Sequence, residues 1–191
     1  MRQPQLTTER LLMVPLDDRH LELEVELDAD PEVMRYLSGR ARTRKEVAAS
    51  HAERMARTGY WTAFTRSDGD FVGLMMLPPA PGPDPSVREL GYRLVRRHWR
   101  QGLASEASRA LLAHAFGTAG QSRVIAQTMA VNAGSRGVME KAGMRYVRTF
   151  FPAWDDPLPG SELGEVEYEM TREMWGYGQS NPRVQPEGVR E

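Results

Sequence analysis

The chain of 191 residues contains no cysteine, which excludes disulfides, thiolate metal sites and cysteine nucleophiles together. Lysine is nearly as scarce, with only Lys45 and Lys141, so the basic side chains are almost all arginine. No run of apolar residues approaches the ~18 that a membrane-spanning helix requires. Residues 1–10 carry neither an apolar stretch nor a small-residue cleavage site, so a secretory signal is not expected and a cytoplasmic location is. Net charge is -1, too little to draw the chain to nucleic acid or to an anionic membrane. His20, His51, His98 and His114 lack metal-site spacing, and no metal is expected. Neither a Gly-Lys-Ser/Thr step nor a three-glycine dinucleotide fingerprint occurs.

What is present reads as one α/β domain over residues 1–175, followed by a tail, 176–191, without apolar periodicity and expected to be disordered. Residues 10–15 suggest a first strand closed by Pro15, and Asp17 or Asp18 a cap for a helix over 20–27. Asp30-Pro31-Glu32 predicts a second helix stopping near Gly39. Thr43 with Glu46 three residues on is a capping box for a third, running to residue 57. The period then changes. Residues 60–65 and 71–77 read as strands joined by the Asp68-Gly69 turn, and five prolines between 78 and 85 impose a loop. A strand over 88–95, an amphipathic helix over 104–117, a strand over 123–129, a helix over 135–142 and strands over 144–151 and 166–170 complete the pattern.

The most informative segment runs from Glu89 through Trp99-Arg100-Gln101-Gly102-Leu103-Ala104-Ser105-Glu106-Ala107. A strand enters a short basic turn, then a Gly-x-Ala step, then a helix. The first amides of a helix have no internal partners and sit at the positive end of its dipole, so this junction suits an anion. Gly102 removes the Cβ that would hold a phosphate off the backbone. Arg96, Arg97 and Arg100 add charge at the rim, and Ser105 offers a hydroxyl. A plain strand-turn-helix connection has the same outline.

This segment resembles the pyrophosphate loop of the GNAT acetyltransferases, closest to the ribosomal-protein N-terminal acetyltransferase branch, in which tryptophan opens the loop and Ser/Thr-Glu-Ala follows it. Further landmarks arrive in the branch's order: Leu6-Thr7-Thr8-Glu9-Arg10-Leu11, Glu89-Leu90-Gly91-Tyr92, Asn132-Ala133-Gly134-Ser135, and Met139-Glu140-Lys141-Ala142-Gly143-Met144. The resemblance implies a central twisted mixed sheet of about six or seven strands, flanked by helices and splayed between its two middle parallel strands. It implies acetyl-CoA as cosubstrate and transfer of the acetyl group to a primary amine, of a peptide N-terminus or a small molecule. It is also compatible with a homodimer.

Carried onto this chain, the resemblance places the pantetheine arm along the backbone of Tyr92, Arg93, Leu94 and Val95. The pyrophosphate falls on the amides of Arg100, Gln101, Gly102, Leu103, Ala104 and Ser105, and Asn132 contacts the arm. Many family members carry a tyrosine acid seven residues after this asparagine. Here that position is Met139, which has no proton to give, so Ser135 is the candidate acid. Glu89 is the candidate base, with Glu165, Glu167, Asp155 and Asp156 as alternatives. Glu89 also reads as a strand-end carboxylate paired with Arg88, Arg93 or Arg123, and Asn132 and Ser135 as helix-cap residues. Trp154, Asp155 and Asp156, between Pro152 and Pro157, suit a cationic acceptor. Trp61 and Phe151 are expected in the core rather than the acceptor pocket. A protein that holds acyl-CoA without turnover shares every one of these features.

Overall fold

The computed structural model describes residues 3–180. The chain opens with β1 (Leu6–Thr7) and β2 (Leu11–Pro15), followed by a short 3-10 turn at Asp18–His20 that leads into α1 (Leu21–Asp28). Asp17 caps that turn: its carboxylate accepts from the Arg19 amide, and its own amide donates to His20 Nδ1. The helix expected from Asp30 does not form. One carbonyl, that of Met34, collects the amides of Leu37, Ser38 and Gly39, so successive turns replace a propagating ladder. The reason lies in packing, since Met34 is buried while Leu37 is exposed, leaving no continuous apolar stripe to support a helix. Helix α2 (Arg44–Met55) follows, with the Thr43–Glu46 capping box reciprocally bonded.

Strands β3 (Tyr60–Thr65) and β4 (Phe71–Met76) form the hairpin that the Asp68-Gly69 turn predicts. The next stretch departs from expectation. In place of one strand over 88–95 there are two, β5 (Val87–Glu89) and β6 (Gly91–Leu94), interrupted at Leu90. Strand β5 pairs in parallel with β7 (Arg123–Met129), whereas β6 pairs antiparallel with β4. The chain therefore leaves one sheet and joins another within a single residue. The first sheet has the order β1-β2-β3-β4-β6 and the second β5-β7-β9-β8, with β8 at Arg145–Phe150 and β9 at Glu165–Thr171.

Helix α3 (Leu103–Ala113) ends in a π turn, and its predicted inward residues Ala107, Leu111, Leu112, Ala115 and Phe116 are all buried. They pack with Leu11, Met13, Trp61, Val72, Val124, Ala126 and Tyr168 in one core spanning both sheets. Helix α4 (Ala133–Lys141) follows β7, and α5 (Arg172–Ser180) continues past the domain boundary suggested at residue 175. The rest of the expected tail, 181–191, lies outside the described residues.

Helices α1 and α2 are tied to β6 by buried charge. Asp28, fully buried, accepts from Arg93 Nη1 at 2.6 Å and from Arg42 Nη1 at 3.1 Å. Arg42 also reaches the Glu46 carbonyl and Ser50 Oγ. Beside this pair, Glu24 takes Arg54 and His51 Nδ1. Removing one member of such a group strands the others without compensation. Asp28→Asn is expected to destabilise the fold by about 3–5 kcal/mol, since it leaves two buried guanidinium groups without their carboxylate. Urea unfolding of the variant beside the parent measures this, and a loss below about 1 kcal/mol would show that Arg93 and Arg42 find other partners.

Candidate active site

The break at Leu90 determines where unsatisfied backbone lies. The Val95 amide donates to the Val72 carbonyl at 3.0 Å, so residues 91, 93 and 95 direct their backbone groups toward β4. By alternation, the amides of Tyr92 and Leu94 face the other way, toward β7. The Leu90 amide makes the last bond on that side, to the Ile125 carbonyl at 2.7 Å. Beyond it β6 and β7 diverge, leaving a V-shaped gap with the Tyr92 and Leu94 amides on one wall and the Gln127 backbone on the other. The Leu94 carbonyl is already engaged by Trp99 Nε1 at 2.7 Å. That bond explains the tryptophan at the loop's start, because it pins the turn to the end of the strand.

At the wide end of the gap stands the N-terminus of α3. Gly102 is its cap, with φ 77°, and no side chain bonds to the first-turn amides. A left-handed residue is strained for any β-branched side chain, so glycine is required here by conformation as well as for close approach. Arg100 likewise has positive φ, at 59°. Leu103 and Ser105 are buried, so the Ser105 hydroxyl is not offered at the rim. The rim charge is smaller than the sequence suggests. Arg96 is paired with Asp30, and Arg97 with both Asp70 and Glu26. Among the described residues Arg100 makes no ion pair. Arg10, which the sequence pattern did not single out as a site residue, donates to the Gln101 carbonyl at 2.8 Å.

Across the gap, Asn132 caps α4, its Oδ1 accepting from the Ser135 amide at 3.1 Å and its Nδ2 donating to Thr128 Oγ1 at 3.0 Å. The capping reading is therefore correct, and one amide hydrogen remains for another acceptor. Tyr92 spans the gap: its hydroxyl donates to the Ser135 carbonyl at 2.9 Å and lies 3.0 Å from Ser135 Oγ. With its single proton given to the carbonyl, Tyr92 Oη is left to accept from the serine hydroxyl. Burial pushes the Tyr92 phenol up to about 12, despite the opposing bond from Ser135, so it stays protonated at neutral pH. Met139 is buried in the core, so the position where many relatives carry tyrosine is packing here.

Glu89 sits where the strands part. Burial raises its carboxyl above the ordinary carboxylate value, and the nearby carboxylates of Glu165 and then Glu167 push it the same way. Among the described residues Glu89 makes no ion pair, against the alternative reading of it as a carboxylate paired with Arg88, Arg93 or Arg123. Arg93 is held by Asp28, and Arg123 by Glu167 and Glu169. Glu167 is itself engaged by Gln127 and Arg148, so of the acidic alternatives on β9 only Glu165 lacks an ion pair among the described residues. Trp61 is core, with Nε1 bonded to the Pro4 carbonyl. Phe151, expected inside, is 71% exposed, because it begins the loop that leaves β8 before any element covers it. That loop crosses to the α1–α2 connection, where a Cβ at Gly39 would lie 2.5 Å from Leu158 Cδ2. Within it Asp155 and Asp156 are exposed, and Trp154 is half-buried with Nε1 unpartnered. Among the described residues no group of His, Asp or Glu is placed to hold a metal ion.

The splay between β6 and β7, beyond the paired β5 and β7, and the open helix N-terminus beside it, fit a ligand that carries amides along an arm and a pyrophosphate at its end. A family model described as an acetyltransferase (GNAT) domain matches residues 10–145. The chain belongs to the GNAT acetyltransferase family. It is an acetyl-CoA-dependent acyltransferase, and acetyl-CoA is its cosubstrate. It is 40% identical, over 186 residues, to FsC-acetyl coenzyme A-N(2)-transacetylase of Aspergillus fumigatus, a match covering 91% of this chain and 78% of that one. The GNAT-family acetyltransferase structure from Bacillus anthracis superposes with TM-score 0.76 at 24% identity, covering 89% of this chain and 99% of its own. RimL, a ribosomal α-N-protein acetyltransferase solved with coenzyme A, gives TM-score 0.74 at 16% identity over 88% and 98% of the two chains. The last two establish the fold alone. No helix among the described residues is long and apolar enough to cross a membrane.

If the α3 terminus holds the pyrophosphate, Gly102→Val should weaken CoA at least tenfold, or about 1.4 kcal/mol, while the domain stays folded. Calorimetry with CoA measures this, and unchanged affinity in a folded variant would remove the loop from the cofactor site.

Proposed function

We propose that this acyltransferase moves the acetyl group of acetyl-CoA directly onto a primary amine, of a peptide N-terminus or a small molecule, without a covalent enzyme intermediate. The observation that carries this reading is Glu89: a half-buried carboxylate without a cation, at the apex of the gap, held more basic than usual by its surroundings. Such a group suits the one demand of the reaction that the cosubstrate does not meet, removal of a proton from an attacking ammonium. The N(2) nitrogen in the name of the Aspergillus relative supports an amine acceptor. An α-amine, with pKa near ~8, needs only a modest base, whereas a lysine side chain near ~10.4 needs a stronger one.

When bound, acetyl-CoA supplies the thioester carbonyl that the amine attacks. In this chain the amides of Tyr92 and Leu94 would hold the pantetheine arm as a missing strand would. Amides from Arg100 to Ser105 hold the pyrophosphate, and the free hydrogen of Asn132 Nδ2 serves the arm. The Ser135 hydroxyl, which rests on Tyr92 Oη, would turn its proton to the departing sulfur and recover one from water, with Tyr92 Oη holding the serine in place until then.

Glu89 acts as base only when ionised, so activity rises with pH through its raised value and falls below it. Glu89→Gln should lower kcat at least tenfold, leave the KM for acetyl-CoA within about twofold, and abolish this acid limb. Near-parental kcat with the limb intact would pass the role to Glu165 or to water.

The loop from Phe151 to Gly164 selects the acceptor. Its half-buried Trp154 and exposed Asp155 and Asp156 offer an aromatic face and negative charge to an ammonium. Trp154→Ala, and Asp155→Asn with Asp156→Asn, should raise the acceptor KM about threefold or more without changing CoA affinity. Steady-state kinetics with each substrate varied in turn checks this, and unaltered acceptor kinetics would reduce the loop to a surface connection.

A further inference from the structure

Glu106 lies in the first turn of α3, where its charge would compete with a phosphate for the open helix amides. It does not turn toward them. Its carboxylate points to the β1–β2 turn and collects four donors: Thr8 Oγ1 at 2.5 Å, the Arg10 amide at 2.9 Å, and Arg10 Nε and Nη2, both at 2.7 Å. Burial opposes ionisation, but these bonds from Thr8 and Arg10 hold the carboxyl below its ordinary value. The remaining arm of the guanidinium, Nη1, donates to the Gln101 carbonyl at 2.8 Å. The Arg10 side chain is nevertheless 47% exposed, and its Nη2 would stand 3.6 Å from a Cβ at Gly102.

That third contact has a geometric consequence. In a trans peptide the carbonyl and the following amide point in opposite directions. Drawing the Gln101 carbonyl toward Arg10 therefore turns the Gly102 amide away from it, outward with the first amides of α3. The glycine that allows close approach also makes the opposite peptide orientation cheap, because φ of either sign is open to it. The flipped peptide would present a carbonyl oxygen to an anion. The loop needs a lock, and Arg10 supplies one while neutralising Glu106.

We propose that Arg10 is the positioning residue of the pyrophosphate loop, fixing the Gln101–Gly102 peptide with its amide outward and masking the charge of Glu106. The proposal rests on the reading of this loop as the pyrophosphate site. It explains why the Thr8-Glu9-Arg10 and Ser105-Glu106-Ala107 motifs occur together: they are two halves of one clamp.

The test compares two probes, CoA and pantetheine, the second sharing the arm but lacking the pyrophosphate and adenosine. Binding is followed by calorimetry for CoA and by tryptophan fluorescence for pantetheine. Arg10→Met is expected to weaken CoA about tenfold and pantetheine less than about twofold. Arg10→Lys keeps the charge but not the fork that reaches both Glu106 and the Gln101 carbonyl, so it should recover only part of the CoA affinity. Should Arg10→Met not fold, Arg10→Lys carries the same comparison of probes. Equal losses for the two probes would mean that Arg10 merely stabilises the domain, and unchanged CoA affinity would mean that the peptide holds itself; either overturns the proposal. Gly102→Val separates this failure from that of the underlying reading: if it weakens CoA while the Arg10 variants do not, the loop is the site and Arg10 is not its lock. If none of the variants changes CoA affinity, the loop reading itself fails.

Discussion

Everything in the active site depends on one residue changing sheets. Leu90 gives its amide to Ile125 on β7, and the next residue, Gly91, already pairs with Met76 on β4. Beyond that point β7 diverges, so the edge of β6 opposite β4 loses its partner. Buried backbone polar groups without partners are costly, and a fold that retains such an edge retains it for a ligand. The gap is also stable only because both walls are anchored independently. Strand β6 is held through Arg93 to Asp28 and the first two helices, and β7 through its full-length pairing with β9.

Arginine performs three different tasks in this chain. Arg42, Arg54 and Arg93 are buried partners of Asp28 and Glu24, and they weld helices to sheet. Arg96 and Arg97 precede the Gly102 loop in sequence but are bound to Asp30, Glu26 and Asp70 in space. Arg10 and Arg100 are left for the loop itself, one bound to its backbone and the other without an ion pair among the described residues. The planar, forked guanidinium suits the first and last tasks in a way that a lysine ammonium does not.

The carboxylates divide in the same manner. Glu167 and Glu169 are spent on arginines across β7 and β8, while Glu89 and Glu165 make no ion pair among the described residues and are raised by burial. Two carboxyl groups near one apex favour keeping a proton there.

The sequence determined by itself whatever depends on neighbours in the chain. The Thr43–Glu46 box, the Asp68-Gly69 hairpin, the inward face of α3 and the Gly102 helix start are local patterns, and each appears in the structure as its residues require. The family and its cosubstrate were legible for the same reason, because Trp99 to Ala107 is contiguous. Tertiary structure decided what depends on distant partners. The failure of the helix after Asp30, the break at Leu90, the exposure of Phe151 and the removal of Arg96 and Arg97 from the rim all follow from packing that no local pattern encodes. So do the bonds of Tyr92 to Ser135 and of Arg10 to Glu106, whose members lie 43 and 96 residues apart. A hydrogen bond is short-ranged in space and indifferent to separation along the chain, so the loop could be read from the sequence but the residues that hold it in place could not.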